Sequence, residues 1–233
     1  MQRLAFDIET AANPERVAEL PPPDCRTGNL KDPIKIREKE EQVRRDQVER
    51  MALDPHFARV CAVAISEFTP DGVLATDVQI VSPIRDAVDE ERELIRWFWD
   101  QARHASAFLT FNGSGFDVPF LLRRSLILGL RPVHIPYGRH CADPAGEHLD
   151  LMQLLQGSEV GASWNGSPPT GRRTNLQTYV REILGTACPY GEIDKSSFGA
   201  LIAADNTALI EQVCRWDVEA LHFLAAAVAP VYA

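Results

Sequence analysis

The sequence predicts an α/β fold in which helices pack on a mixed β-sheet. Three apolar segments suited to strands come early in the 233-residue chain, at residues 3–9, 59–68 and 73–81. A helical pattern at 89–103 and a fourth strand-like segment at 106–111 follow them. Strands that alternate with amphipathic helices are typical of an α/β fold.

The second half of the chain is predicted to be mostly helical. Apolar residues recur at helical spacing in five further segments, at residues 116–128, 149–156, 175–184, 196–204 and 206–228. Gly129 and Gly185 follow two of these segments and favour helix ends there. The stretch 157–171 is rich in Gly, Ser and Pro and is predicted to be a loop.

A strongly charged segment interrupts the strand pattern. Three prolines, Pro21 to Pro23, lead into it, and seven basic and six acidic residues lie between Lys31 and Arg50. Interleaved opposite charges without glycine predict one exposed helix supported by i,i+4 ion pairs. We therefore expect a single domain over residues 1–233, with a charged helical insertion at about 12–55.

Composition favours an intracellular globular protein. Hydrophobic residues make up 45% of the chain, and the formal net charge is −9. Proteins that coat nucleic acid by neutralising phosphates are normally basic, so this charge argues against that class. The five cysteines form no Cys-x-x-Cys pair, and no apolar segment has the length of a signal or membrane helix. We expect a cytoplasmic protein without a membrane anchor.

Two acids of the first strand lie between apolar residues. Asp7 and Glu9 alternate with Phe6 and Ile8, so both carboxylates lie on one face of the strand, about 6 to 7 Å apart. Such carboxylates repel each other unless a cation lies between them. The alternative is a solvated strand face.

Three later acids also have apolar surroundings. Asp117 follows a strand and the Gly-rich turn Asn112–Gly115, at the start of a predicted helix. Asp217 falls on the apolar face of the last helix, where a lone charge is costly unless it is paired or metal-bound. Asp150 lies between Leu149 and Leu151, and helix capping is its favoured interpretation.

The ordered set of motifs resembles a known family. FDIET at 6–10, FNGSGFD at 111–117, HLDLMQLL at 148–155 and an Asp in a late helix are similar to the DEDD superfamily of 3′–5′ exonucleases. Within that superfamily, the motifs resemble those of stand-alone proteins related to the exonuclease domain of family B DNA polymerases. The resemblance implies a ribonuclease H-like fold, with a mixed central sheet of about five strands and helices on both faces.

The resemblance also implies an activity. An enzyme of this family removes nucleoside 5′-monophosphates from a nucleic-acid 3′ end, with single-stranded DNA the favoured substrate and DNA repair or replication the setting. The metal ligands would be four acids that hold two Mg²⁺ or Mn²⁺ ions about 3.5 to 4 Å apart: Asp7, Glu9, Asp117 and Asp217. Asn112, Phe116 and Thr10 would bind substrate, although core packing is an equal alternative for Phe116.

The sequence departs from the superfamily at the residue that orients the attacking water. A Tyr four residues before the last Asp, or a His five residues before it, normally does this, and Val213 and Gln212 stand there. Three explanations stay open. Metal-bound water suffices, or the protein is a weakly active, nucleic-acid-binding pseudo-exonuclease, or another residue substitutes: Tyr179, Tyr190, His148 or His222. Because all four candidate ligands are present, retained activity is favoured.

A nucleic-acid substrate requires a basic path on this acidic protein. Four of the acids are assigned to two ions with a joint charge of +4, so the loaded site would be neutral. Candidate phosphate contacts are the charged segment 31–50 and the pairs Arg123–Arg124 and Arg172–Arg173, and a solvated surface is an equal alternative for the two pairs. Lys195 lies in a predicted loop near the expected substrate.

Overall fold

One mixed sheet of five strands organises the part of the chain that the computed structural model describes, namely residues 3–25, 31–69, 72–82, 87–138, 141–143, 146–156, 174–191 and 195–232. The strands are β1 (Arg3–Ala12), β2 (Ala58–Thr69), β3 (Gly72–Ile80), β4 (Ala107–Thr110) and β5 (His148–Asp150). Their spatial order is β3-β2-β1-β4-β5. The first three strands pair antiparallel, while β4 runs parallel to both β1 and β5.

Helices connect and cover these strands. They are α1 (Pro33–Met51), α2 (Ala87–Ala102), α3 (Asp117–Ile127), α4 (Leu151–Gln156), α5 (Leu176–Tyr179), α6 (Phe198–Ala203) and α7 (Ala208–Tyr232). Short 3₁₀ turns lie at Pro14–Glu19 and Lys195–Ser197. Within the described ranges, no helix is both long and apolar enough to cross a membrane.

The central strand β1 is buried under helices on both of its faces. Leu4, Phe6 and Ile8 pack in one core cluster with apolar residues of α2 and α3. Ala5 lies between them in sequence and packs on the opposite side, in a cluster that includes Leu221 of α7. Since successive side chains of a strand point to opposite faces, the two clusters lie on either side of the sheet. The predicted α/β architecture, with about five strands and helices on both faces, is confirmed.

The structure differs from the sequence prediction around residue 149. The segment 149–156 was expected to be helical, but His148–Asp150 forms β5 and the helix begins at Leu151. These three residues pair in parallel with Phe108–Thr110 of β4. Periodicity does not distinguish apolar residues at the start of a short helix from those in a three-residue strand. The pairing with β4, which is distant in sequence, determines that these residues form a strand. The predicted loop at 157–171 lies outside the described residues.

The predicted helix at 175–184 is present but irregular. One α-helical turn, α5, continues into a π-helical turn at Val180–Leu184. The helical stretch ends at Gly185, which has the left-handed φ of 68° that ends many helices and that glycine adopts without strain.

The helix α1 occupies the charged segment. Its N-terminus is capped by Asp32, whose side chain accepts the backbone N–H of Ile34 at 2.9 Å. Most of its residues are exposed, and Met51 near its end is buried. Just beyond it, the carbonyl of Ala52 accepts the hydroxyl of Thr10 at 2.6 Å. This bond fastens the C-terminal end of α1 to β1 immediately beside Glu9.

Candidate active site

Three carboxylates meet where α7 crosses β1. Asp7 and Glu9 project from β1 on one face, and Asp217 projects from α7. Each residue offers a carboxylate oxygen, and these oxygens lie within 4.8 Å of one another. Glu9 and Asp217 are buried, whereas the side chain of Asp7 is 24% exposed. Residues from opposite ends of the sequence thus form one acidic cluster that opens to solvent at Asp7.

The side chain of Lys195 lies among these three acids. Its Nζ donates to Oε1 of Glu9 and, at 2.8 Å, to Oδ2 of Asp217. Oδ2 of Asp7 lies 3.8 Å from the same nitrogen. When all four groups are ionised, three negative charges face one positive charge, so the cluster keeps a net charge of −2.

The electrostatic balance of the cluster favours protons or cations. Burial raises the pKa of Asp7 to about 6 and that of Glu9 to about 8, although the ammonium of Lys195 opposes both shifts. Burial alone would lower the pKa of Lys195, but Glu9, Asp7 and Asp217 outweigh it and hold that pKa well above its usual value. Part of the negative charge is therefore neutralised by protons near neutral pH in the metal-free protein.

The chemistry of the donor set fits a divalent cation. Carboxylate oxygens are the ligands that Mg²⁺ and Mn²⁺ prefer. The ammonium of Lys195 already places a positive charge between three of them, which shows that the cluster accommodates a cation. Its remaining charge of −2 could be balanced by a metal ion.

Asp117 lies beside the cluster and is fastened to the strand that carries it. It is the first residue of α3, and its Oδ1 accepts the backbone N–H of Ile8 at 3.0 Å. Burial, followed by the charge of Asp7, raises its pKa well above the usual value. Asp117 is not among the acids whose oxygens lie within 4.8 Å of one another in the described chain. The structure therefore brings three of the four predicted acids into direct proximity and places the fourth against their strand.

The predicted substrate-binding residues lie close in sequence to Glu9 and Asp117. Thr10 follows Glu9 and is engaged by Ala52. Asn112 has a left-handed backbone, with φ 67°, in the turn before α3. Phe116 is half-buried, and its ring lies 5.4 Å from that of Phe120, centroid to centroid. Phe116 thus packs against the core, as its alternative interpretation predicted, and the substrate roles stay predictions.

Of the four residues considered as substitutes for the water-orienting group, the two histidines have contacts outside the acidic cluster. Val213 is fully buried in an apolar cluster. His148 contacts Thr110 at 2.8 Å and the carbonyl of Pro136. The ring of His222 lies 4.9 Å from that of Phe68, centroid to centroid.

Lys195 is the residue that sequence reasoning underestimated. The sequence offered only a basic residue in a predicted loop near the expected substrate. The loop is a 3₁₀ turn that leads into α6, which packs against β1. Contact with three acids, two of which lie at the other end of the chain, has no local sequence signal.

One predicted phosphate contact is wrong. Arg124 is buried, and its guanidinium pairs with Glu91 of α2. It is therefore a structural residue and is unavailable to a phosphate. Its neighbour Arg123 lines an open cleft of about 600 Å³ together with His56. Arg172–Arg173 lies outside the described residues.

Comparisons with known proteins show similarity to a family related to DNA polymerases and to DNA polymerases themselves. Residues 52–163 match the family described as "Predicted 3'-5' exonuclease related to the exonuclease domain of PolB". The chain is 35% identical over 118 residues to DNA polymerase 1 of Sulfurisphaera ohwakuensis. This alignment covers 44% of the chain and 13% of that protein. It is 29% identical over 168 residues to a DNA polymerase of Pyrococcus glycovorans. That alignment covers 70% of the chain and 21% of the polymerase.

A solved structure has the same fold. The family B DNA polymerase of Pyrobaculum calidifontis superposes on 99% of this chain with a TM-score of 0.59 and 20% identity. The alignment covers 25% of the polymerase chain. The chain thus spans about a quarter or less of the proteins that it matches.

Proposed function

We propose that this chain is a metal-dependent 3′–5′ exonuclease. Its similarity to a family related to the exonuclease domain of PolB, and the fold that it shares with a family B DNA polymerase, support the proposal. The observation that carries the proposal is the convergence of Asp7, Glu9 and Asp217 around the ammonium group of Lys195. The substrate is a nucleic-acid 3′ end, with single-stranded DNA favoured, and the products are nucleoside 5′-monophosphates.

The acids of the cluster are the proposed metal ligands. Asp7, Glu9 and Asp217, with Asp117 beside them, would hold two divalent ions, Mg²⁺ or Mn²⁺. Bound ions of this kind lower the pKa of a water nucleophile and stabilise the leaving oxygen. Burial of Glu9, Asp117 and Asp217 limits the screening of their charge by bulk water.

Lys195 is proposed to bind the substrate phosphate beside these acids. Its side chain is 41% exposed, and its ammonium lies 3.8 Å from Oδ2 of Asp7, the acid at which the cluster opens to solvent. An ammonium donates charge-assisted hydrogen bonds to phosphate oxygens. Lys195 could therefore hold the scissile phosphate against the acids.

The substrate end is proposed to lie between α1 and α3. Thr10, Asn112 and Phe116 would bind the terminal nucleotide, and Phe116 offers a half-buried aromatic face for a base. We also propose that residues 1–233 form one domain, with α1 as an insertion whose end is fastened to β1 by Thr10.

Hydrolysis of 5′-labelled single-stranded DNA tests the proposed function. With Mg²⁺ or Mn²⁺, we expect a ladder of products shortened from the 3′ end, which chelation of the metal abolishes. Matched RNA, duplex DNA and a 3′-phosphorylated strand establish the substrate class and the polarity. Absence of shortening with either ion would overturn the exonuclease proposal.

A second candidate is a nucleic-acid-binding protein without turnover. It is favoured by the apolar, fully buried Val213 at the position of the water-orienting residue, since valine cannot donate or accept a hydrogen bond from its side chain. Binding of the same strand that survives chelation, without shortening, is the result that supports it.

The stabilising effect of metal should grow with pH. Burial raises the pKa of Asp7 to about 6 and of Glu9 to about 8, so the folded metal-free chain binds more protons than the unfolded chain. The contribution of these two groups to the stability of the metal-free chain therefore falls as pH rises from about 4 to about 8. Metal ions must displace these protons. We expect Mn²⁺ to raise the thermal midpoint by several degrees at about pH 8 and by much less at about pH 5. An equal increase at both pH values would contradict this expectation.

A further inference from the structure

The carboxylate of Asp150 joins two segments that are distant in sequence. Its Oδ1 accepts the backbone N–H of Asn112 at 2.8 Å and that of Met152 at 3.0 Å. Its Oδ2 accepts the backbone N–H of Ser114 at 3.1 Å and also the Ser114 hydroxyl. Asp150 is fully buried, at 0% exposure. The predicted role of helix cap accounts for the bonds to α4 and leaves the bonds to the turn Asn112–Gly115 unexplained.

The hydroxyl of Ser114 extends this network. It donates to Asp150 and accepts the side-chain amide of Gln153 at 2.6 Å. Gln153 in turn donates to the carbonyl of Gly138 at 2.7 Å. Asp150 at the end of β5 and Gln153 in the first turn of α4 thus hold the turn by hydrogen bonds.

The turn itself has little freedom to adopt another shape. Asn112 has a left-handed φ of 67°, a region that few residues other than glycine and asparagine adopt readily. A Cβ on Gly113 would lie 2.4 Å from the side chain of Thr110, and one on Gly115 would lie 2.8 Å from Oδ1 of Asn112. The two glycines therefore permit a close-packed turn that the bonds to Asp150 hold in place.

The turn determines where Asp117 lies. The N–H of Phe116 donates to the carbonyl of Asn112 at 2.8 Å, and that of Val118 donates to the carbonyl of Gly113 at 2.9 Å. These bonds begin α3, whose first residue is Asp117. The Asp117 carboxylate then reaches Ile8 of β1, between Asp7 and Glu9.

We propose that Asp150 is a positioning residue of the candidate active site, which fixes Asn112 and Asp117 against β1 through the turn Asn112–Gly115. The inference rests on the proposed exonuclease function. Groups that orient the residues around a metal typically contribute about 10- to 100-fold in metal affinity or activity. A displacement of about 1 Å in a reacting geometry has a similar effect.

Two variants test this role. Asp150→Asn places an amide N–H against donors of the turn. Ser114→Ala removes both bonds of the hydroxyl, the one to Asp150 and the one from Gln153, and keeps the backbone bond to Asp150. Ser125→Ala is the matched control, because Ser125 is an equally buried serine whose hydroxyl accepts Trp99 Nε1 at 2.8 Å outside this network. The measurements are kcat and KM on 5′-labelled single-stranded DNA with Mn²⁺, corrected for the folded fraction, and amide hydrogen exchange of residues 112–118.

The expected results separate positioning from simple stability. We expect kcat per folded molecule to fall about 10- to 100-fold in Asp150→Asn and about threefold or more in Ser114→Ala, with KM changed less. Ser125→Ala should retain the wild-type kcat. Exchange at 112–118 should accelerate in the first two variants alone.

Two results would overturn the role of Asp150. One is an equal kcat in Ser114→Ala and Ser125→Ala, and the other is unchanged exchange at 112–118 in both network variants. If Asp150→Asn does not fold, Ser114→Ala decides. A wild-type protein without hydrolysis refutes the exonuclease function itself, and the exchange experiment then still decides whether Asp150 holds the turn.

Discussion

Replacement of Asp7 by Asn is expected to lower metal-dependent hydrolysis of single-stranded DNA by about 10²- to 10³-fold, the range found when one group that stabilises developing charge is removed. Asp7 is the most exposed of the three clustered acids, and it is one of the proposed metal ligands. An amide supplies a neutral oxygen, which binds a divalent cation much more weakly than a carboxylate does.

The same substitution should leave the metal-free protein as stable as the wild type or more stable. Asp7 and Asp217 both contribute charge that raises the pKa of Glu9, so removal of one charge relieves repulsion in the cluster. Loss of activity without loss of stability identifies a functional residue. The measurements are the initial rate with Mn²⁺ and the thermal midpoint in the presence of a chelator.

An exposed acid provides the control for Asp7. Asp100 lies on α2, where it pairs with Arg103 at 3.4 Å and both side chains are exposed. Asp100→Asn should retain the wild-type rate and stability, since exposed ion pairs contribute little. If Asp7→Asn hydrolyses DNA within about twofold of this control, Asp7 does not hold a catalytic ion.

Glu91→Ala should destabilise the protein by about 3 to 5 kcal/mol, the range found when one partner of a buried ion pair is removed. Glu91 is fully buried and accepts Nε of Arg124 at 2.8 Å and the backbone N–H of Val60 at 2.9 Å. Arg124 also donates to the carbonyl of Pro55 at 3.0 Å. The pair thus joins α2 and α3 to the start of β2. Without the carboxylate, a guanidinium and a backbone N–H would be buried without their partner.

Urea unfolding of three variants measures this effect. Glu211→Ala breaks an exposed pair with Arg215 and should cost less than about 1 kcal/mol. The double variant Glu91→Leu with Arg124→Met should be more stable than Glu91→Ala, because apolar replacement of both partners avoids an uncompensated charge. A loss below about 1 kcal/mol in Glu91→Ala would show that water or another group replaces the carboxylate.

The strands and helices were largely predictable because their patterns are local. Alternation placed β1, β2 and β3, and the helical period placed α2, α3 and α7 to within a few residues. The exception, β5, is three residues long and is created by its pairing with β4. The charged helix α1 was predictable for a similar reason, since opposite charges at i,i+4 act within one helix.

The sequence by itself determined which acids to consider at the site and the order in which they occur. Each was recognisable because a carboxylate among apolar neighbours is costly unless it has a partner. The partners belong to the tertiary structure: Lys195 for Glu9 and Asp217, the turn Asn112–Gly115 for Asp150, and Glu91 for Arg124. Hydrogen bonds and charge interactions depend on distance in space, and these partners are 22 to 186 residues apart in sequence. A sequence pattern reveals that a buried charge needs compensation, and the packing of α7, α6 and α3 on the sheet decides which group provides it.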